Sequence, residues 1–258
     1  LTIYKDGKMN INDAYDMPTA DGTSAGTVMS TDGAGVVSFV DPNSLVPNDG
    51  DWTIDGFGNM SNANIGTVSI SVDATINSIT VGLGGGNITS NTANGAQALN
   101  SNTTGNSNTA NGQNALRFNT FGAGNTATGS GALQNNATGY YNTANGGSAL
   151  LFNTTGWSNT ASGYQALAAN TDGSDNTAIG REALETNTTG NGSTALGYSA
   201  LRYSTGQYNS GIGYRTLEGN TTGSENTALG HMADVATGNL TNATAIGANA
   251  VVGTSNSL

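Results

Sequence analysis

From residue 91 onward the sequence repeats itself, and the period leaves few folds open. The pattern N-T-A-x-G-x-x-A-L recurs in ten copies, with its glycine at Gly95, Gly112, Gly129, Gly146, Gly163, Gly180, Gly197, Gly213, Gly230 and Gly247. Eight spacings are 17 residues, and the one from Gly197 to Gly213 is 16. Such a unit is too short for two helices, and Gly with Asn-Thr at fixed phase disfavours helix, so each copy reads as one coil of a parallel β-solenoid. A disordered chain has no reason to hold this register.

Two strand-like pieces per coil are expected, one over Asn-Thr-Ala-x and one over x-Ala-Leu. The turns fall at the repeat glycine and at N-T-T-G, as in Asn102–Gly105, Asn187–Gly190 and Asn220–Gly223. Glycine suits positive φ or close backbone approach there, and Asn tolerates the left-handed region. The short copy loses its residue within Arg202–Gly206, which marks a loop. Inward positions are the small or apolar ones: Ala93, Ala110, Ala127, Ala144, Ala161, Ala178 and Ala195, then Leu99, Leu116, Leu133, Leu150, Leu167, Leu184, Leu201 and Leu217. One Leu and two Ala per coil are little apolar matter against the entropy of ordering the coil, which points to burial against other chains, most simply in a homotrimer.

The residue before the glycine changes along the array. It is polar in five copies (Asn94, Asn111, Thr128, Asn145, Ser162) and apolar in the next five (Ile179, Leu196, Ile212, Leu229, Ile246). This predicts a buried seam, wetter in the amino-terminal half and drier in the other.

Composition fits a fibre better than a globule. Of 258 residues only 35% are hydrophobic and 9% charged, while 39 are glycine. The net charge of −11 and six scattered basic residues (Lys5, Lys8, Arg117, Arg181, Arg202, Arg215) offer no face for a phosphate backbone, so nucleic acid is not an expected partner. With no Cys and the single His231, no thiolate or multi-histidine metal site is expected, and no cofactor. No apolar run approaches a membrane span.

Residues 1–88 lack the repeat and hold ten of the seventeen acids, all Asp. Short β-branched runs around Asp21-Gly22 and Asp32-Gly33 read as hairpins. The expected division is a small β-module over 1–47, a β-rich connecting module over 48–88, the array over 89–253, and the start of a further segment at 254–258. Leu1 in place of Met reads as the start of an excised piece.

Chemistry-bearing candidates are few. Asn48–Gly56 is Asp-rich but lacks the spacing of a calcium loop, so turn chemistry is preferred. Gly82, Gly84, Gly85 and Gly86 form no phosphate-binding pattern. The acid pairs Glu182/Glu185 and Asp172/Asp175 occupy variable repeat positions and read as solvated surface, so no catalytic residue is expected. The Thr column from Thr92 to Thr194 is read as capping the turns through its hydroxyls, with an ice-binding array as the alternative. N-x-[ST] sequons at Asn102, Asn153, Asn187 and Asn220 arise from the repeat itself. Aromatics at variable positions are candidate receptor or glycan contacts, chiefly Trp157, Tyr140, Tyr141, Tyr164 and Tyr198. Phe118, Phe152 and Tyr203 share one phase, which suits packing between chains.

Asn176-Thr-Ala-Ile-Gly180, Ser193-Thr-Ala-Leu-Gly197, Asn226-Thr-Ala-Leu-Gly230 and Ala243-Thr-Ala-Ile-Gly247 resemble the head repeats of YadA-like trimeric adhesins. The stretch from Tyr15 to Phe39, with Val81–Asn87 leading into the array, resembles small β-modules of phage tail fibres. These resemblances imply an all-β, elongated homotrimeric fibre, about 45 Å long over the array, on a virion tail or cell surface. The implied function is structural, with other fibre proteins and a host glycan or protein receptor as partners and no membrane insertion. A trimeric surface adhesin is the alternative, and a glycan-degrading tailspike the third reading.

Overall fold

The computed structural model describes residues 81–257 throughout, together with the backbone of short strands between residues 2 and 80. The chain divides into two units, Leu1–Ser69 and Ile70–Leu258. In the first, β1 (Thr2–Ile3), β2 (Met9–Asn10) and β3 (Asp16–Met17) form an antiparallel sheet. Strands β4 (Val28–Thr31) and β5 (Val37–Val40), which flank Asp32-Gly33, pair antiparallel, as do β6 (Thr53–Ile54) and β7 (Met60–Ser61). The rest of the Asp-rich stretch 48–56 lies outside the described residues.

The second unit is the solenoid. An antiparallel pair, β8 (Ala74–Ile76) and β9 (Ile79–Gly82), lies against the first coil, where β9 runs antiparallel to β10 (Thr92–Gly95). From β10 the sheet is parallel: β11 (Thr109–Asn111), β12 (Thr126–Thr128), β13 (Thr143–Asn145), β14 (Thr160–Ser162), β15 (Thr177–Ile179), β16 (Thr194–Leu196), β17 (Ser210–Ile212), β18 (Thr227–Leu229) and β20 (Thr244–Ile246). Among the described residues these ten strands bound nine turns, each pairing equivalent residues such as Ala110 with Ala127. The all-β parallel solenoid expected from the period is therefore present. The short copy keeps this register, with Thr194 opposite Ser210, because its missing residue falls in the N-T-T-G corner.

The expected second strand is not formed in the first eight copies. Ala98 and Leu99 are neighbours in sequence and both fully buried, which a strand forbids because adjacent side chains point to opposite faces. The chain instead passes through the left-handed region at Leu99, Leu116, Leu133, Leu150, Leu167, Leu184, Leu201 and Leu217, with φ between 49° and 53°. A bulky residue rarely adopts this conformation. It is held by stacking: Leu116 N–H donates to Ala132 O at 3.0 Å, and Phe118 N–H to Gln134 O at 2.9 Å. A second strand forms only near the end, where β19 (Asp234–Val235) pairs parallel with β21 (Val251–Val252).

The interior differs from expectation in one respect. Ala and Leu line it as predicted, but two columns of buried Asn run beside them. In one column Asn125, Asn142, Asn159 and Asn176 each donate through Nδ2 to the Oδ1 of the preceding Asn at 3.1–3.2 Å. In the other, Asn119, Asn136, Asn153, Asn170 and Asn187 do the same at 2.7–3.3 Å. The N-T-T-G asparagines are thus buried amides with ordinary φ, not left-handed turn residues. The sequons at Asn102, Asn153, Asn187 and Asn220 are buried in the same column, so the folded coil gives a glycan no access. In the short copy Ser193 and Ser204 carry the columns on, accepting from Asn209 N–H at 3.2 Å and Asn220 Nδ2 at 3.1 Å.

Asp234 takes the core Leu position in the ninth copy, and its carboxylate accepts from Gly219 N–H at 2.9 Å and Val235 N–H at 2.8 Å. Burial raises its pKa above the ordinary carboxylate value, against these hydrogen bonds. The folded chain therefore keeps this proton at pH values where the unfolded chain, titrating near about 3.9, has lost it. Its contribution to stability falls as pH rises through that window. Asp234→Asn is expected to flatten the dependence, and melting temperatures measured from acid to neutral pH check it.

Candidate binding surfaces

On each strand the Ala points inward and its two neighbours outward, giving the coil stack one sheet face with two columns. The first column is Thr92 to Thr194, then Ser210, Thr227 and Thr244. Its hydroxyls make no hydrogen bond within the described residues, so the expected capping role is absent. That role belongs to another set, in which Thr103, Thr120, Thr154, Thr171, Thr205 and Thr221 donate to carbonyls of the next coil. The second column carries the polar-to-apolar change. Within one chain it lies outside rather than in a buried seam: Ile179, Leu196, Ile212, Leu229 and Ile246 are 40–67% exposed. None of the described charged residues lies on this face.

The candidate aromatics separate into two groups by their place in the coil. Just after the strand, Tyr164, Arg181, Tyr198, Tyr214 and His231 occupy equivalent positions in five successive copies. The Arg181 guanidinium lies 5.9 Å from the Tyr164 ring centre and 5.8 Å from that of Tyr198. Tyr198, Tyr214 and His231 stack with centres 5.3 Å apart and planes within 14°. Stacked along the coils, these rings turn their edges to solvent and spend their faces on one another. Sequence reading had found Tyr164 and Tyr198 but not Arg181 or His231; the shared repeat phase was the available signal.

Just before the strand sit Tyr140, Tyr141 and Trp157. Tyr140 and Trp157 stack at 6.1 Å with planes 10° apart, and Tyr141 meets Tyr140 edge-on at 5.4 Å. Phe118, Phe152 and Tyr203, on a third line, are all exposed. Arg117 lies over Phe118 at 4.7 Å and Arg202 over Tyr203 at 5.2 Å.

The acids of the first pair are not solvated surface. Glu182 is 5% exposed and bridges Arg181 at 2.9 Å and Arg202 at 3.0 Å, while Glu185 pairs with Arg202 at 2.7 Å. Burying a carboxylate without paired charge is costly, and the two arginines of adjacent copies supply the pairing. Asp172 and Asp175 are exposed. Asp172 accepts from the hydroxyl of Thr155 at 2.5 Å, which lowers its pKa. Among the described residues no three His, Cys, Asp or Glu side chains converge as metal ligands, and no helix is long and apolar enough to cross a membrane. No family model, curated protein or solved structure matches the chain.

Proposed function

We propose that the chain is a structural fibre protein, a homotrimer that serves as a tail fibre of a phage or phage-like particle and attaches it to a host cell surface. The observation behind self-association is the strand face: it bears five half-exposed Ile and Leu in line and none of the described charged residues. A contiguous apolar column of this kind is a liability on a monomer and an asset between copies. The seven described acids lie on other parts of the coil, so three chains can approach through this face without bringing like charges together. The aromatic groups flank the same strands and remain available for a receptor. Both acids of the Glu182/Glu185 pair are engaged by arginine, which favours a binding fibre over a hydrolase.

Sedimentation equilibrium is expected to give the mass of three chains. Ile212→Asp combined with Leu229→Asp is expected to release monomers that keep the β-sheet circular dichroism of the parent, since both side chains are outside the coil interior. A stable wild-type monomer overturns the trimer. Trp157→Ala with Tyr141→Ala is expected to reduce attachment to host cells without unfolding; undiminished attachment removes these residues from the receptor surface. Recovery of the protein in purified particles separates the tail-fibre reading from a cell-surface adhesin.

A further inference from the structure

The two aromatic groups differ in what becomes of their ring faces. Rings lean back onto the preceding coil: a Cβ on Gly124 would stand 2.7 Å from the Tyr141 ring, and one on Gly192 2.6 Å from that of Tyr208. In the Tyr164 column the next copy supplies another flat group, so both faces of each inner member are covered. In the other column the stack stops after two. Trp157 covers Tyr140, but the equivalent residue of the next copy is Ser174, too short to reach across an indole. No ring or cation lies on the second face of Trp157 among the described residues, and the side chain is 40% exposed.

The coil that this face looks onto is unusually rich in fixed acceptors. The Trp157 backbone N–H donates to Ser174 Oγ and the Asp175 backbone N–H donates to Trp157 O, both at 3.1 Å, which sets the backbone at Trp157 in register with residues 174 and 175. Asp172, two residues before Ser174, is oriented by the hydroxyl of Thr155. Ser174 N–H donates to Asn191 Oδ1 at 2.7 Å, which fixes that amide, and its Nδ2 makes no hydrogen bond among the described residues. An open aromatic face takes the C–H face of a pyranose, and carboxylates beside it take the ring hydroxyls as donors. Two aspartates on a chain of net charge −11 repel a uronic or sialic acid.

We propose that Trp157, with Asp172, Asp175 and Asn191, forms a subsite for a neutral hexopyranose unit of a surface glycan. The inference rests on the attachment reading above and names its ligand class.

Saturation-transfer NMR on the full chain tests it, with the methyl glycosides of glucose, galactose, mannose and N-acetylglucosamine as probes and glucuronic and N-acetylneuraminic acids as controls. At least one neutral glycoside is expected to bind at about millimolar strength, as one small contact allows, and the acids are expected not to bind. Ser174→Tyr places a third ring on the stack, at a repeat position where Tyr140 is already accommodated, and is expected to abolish the signal. Asp175→Asn, on an exposed side chain, is expected to weaken binding about tenfold or more while leaving the fold untouched. Absence of binding by every neutral glycoside, equal binding of the acidic sugars, or full binding by Ser174→Tyr overturns the subsite. Cell attachment separates the two readings. Attachment without sugar binding leaves the fibre and removes the subsite; sugar binding without attachment does the reverse.

Discussion

Gly163→Ala is expected to destabilise the array by about 2–6 kcal/mol, combining backbone strain of about 1–3 with overpacking of about 1–3. Gly163 has φ of 138°, a conformation that L residues rarely adopt, and its added Cβ would stand 2.5 Å from Gly180 O and 2.6 Å from Gly180 C. Both contacts are backbone, and Gly180 is itself held by its N–H bond to Ser162 O at 2.8 Å. Neither side can yield without opening the coil stack. Gly253→Ala is the control: nothing lies within 4 Å of its added Cβ, and φ is not positive there. Thermal melting of the two variants reads the difference, and equal melting temperatures would contradict the close stacking on which the repeat glycine depends.

The second large effect is expected at Asn142, which is fully buried. Its Nδ2 donates to Asn125 Oδ1 and Gly156 O, and its Oδ1 accepts from the backbone N–H and Nδ2 of Asn159. Asn142→Leu leaves the Asn159 backbone N–H without an acceptor and removes the other bonds, at about 3–4 kcal/mol in sum. Asn142→Ser is expected to be milder, because Ser193 already fills the equivalent place in the same column. Asn142→Asp is expected to be the worst at neutral pH, since a buried carboxylate then faces the acceptors Asn125 Oδ1 and Gly156 O. Burial raises the pKa of such an acid in the folded state, so the variant gains stability relative to wild type as pH falls through that value. Urea unfolding at neutral and acid pH checks both the order and the direction; an Asp variant that weakens on acidification would contradict the buried column.

The coil period and the inward Ala and Leu were legible because burial imposes the same demand in every copy. The Asn columns were partly legible. Asn91 sits two residues before Ala93, so strand alternation alone puts both on the inner face. Asn102 gave a subtler sign: it recurs at 119, 136, 153, 170, 187 and 220 while the preceding residue ranges from Ser101 to Phe118 to Gly219. The left-handed leucines were hidden, because no local preference favours that conformation at Leu; the requirement comes from burying Ala and Leu side by side. The aromatic candidates were found as residues but not as surfaces. Repeat phase divides Tyr164 and Tyr198 from Tyr140 and Trp157, and composition alone does not.

The left-handed leucines also bear on how the chain reaches this state. A coil whose Leu φ is stabilised only by bonds to its neighbours gains little by forming alone, so the first coil is costly and each later one is laid on a finished template. Order then spreads along the chain from a seed in a zipper-like front. The antiparallel pair β8–β9, joined by a short connection and lying against β10, is the cheapest such seed, because its contacts close the smallest loop. Kinetically, the array is a polymerisation of identical subunits that happen to share one backbone, with growth limited by initiation rather than by length.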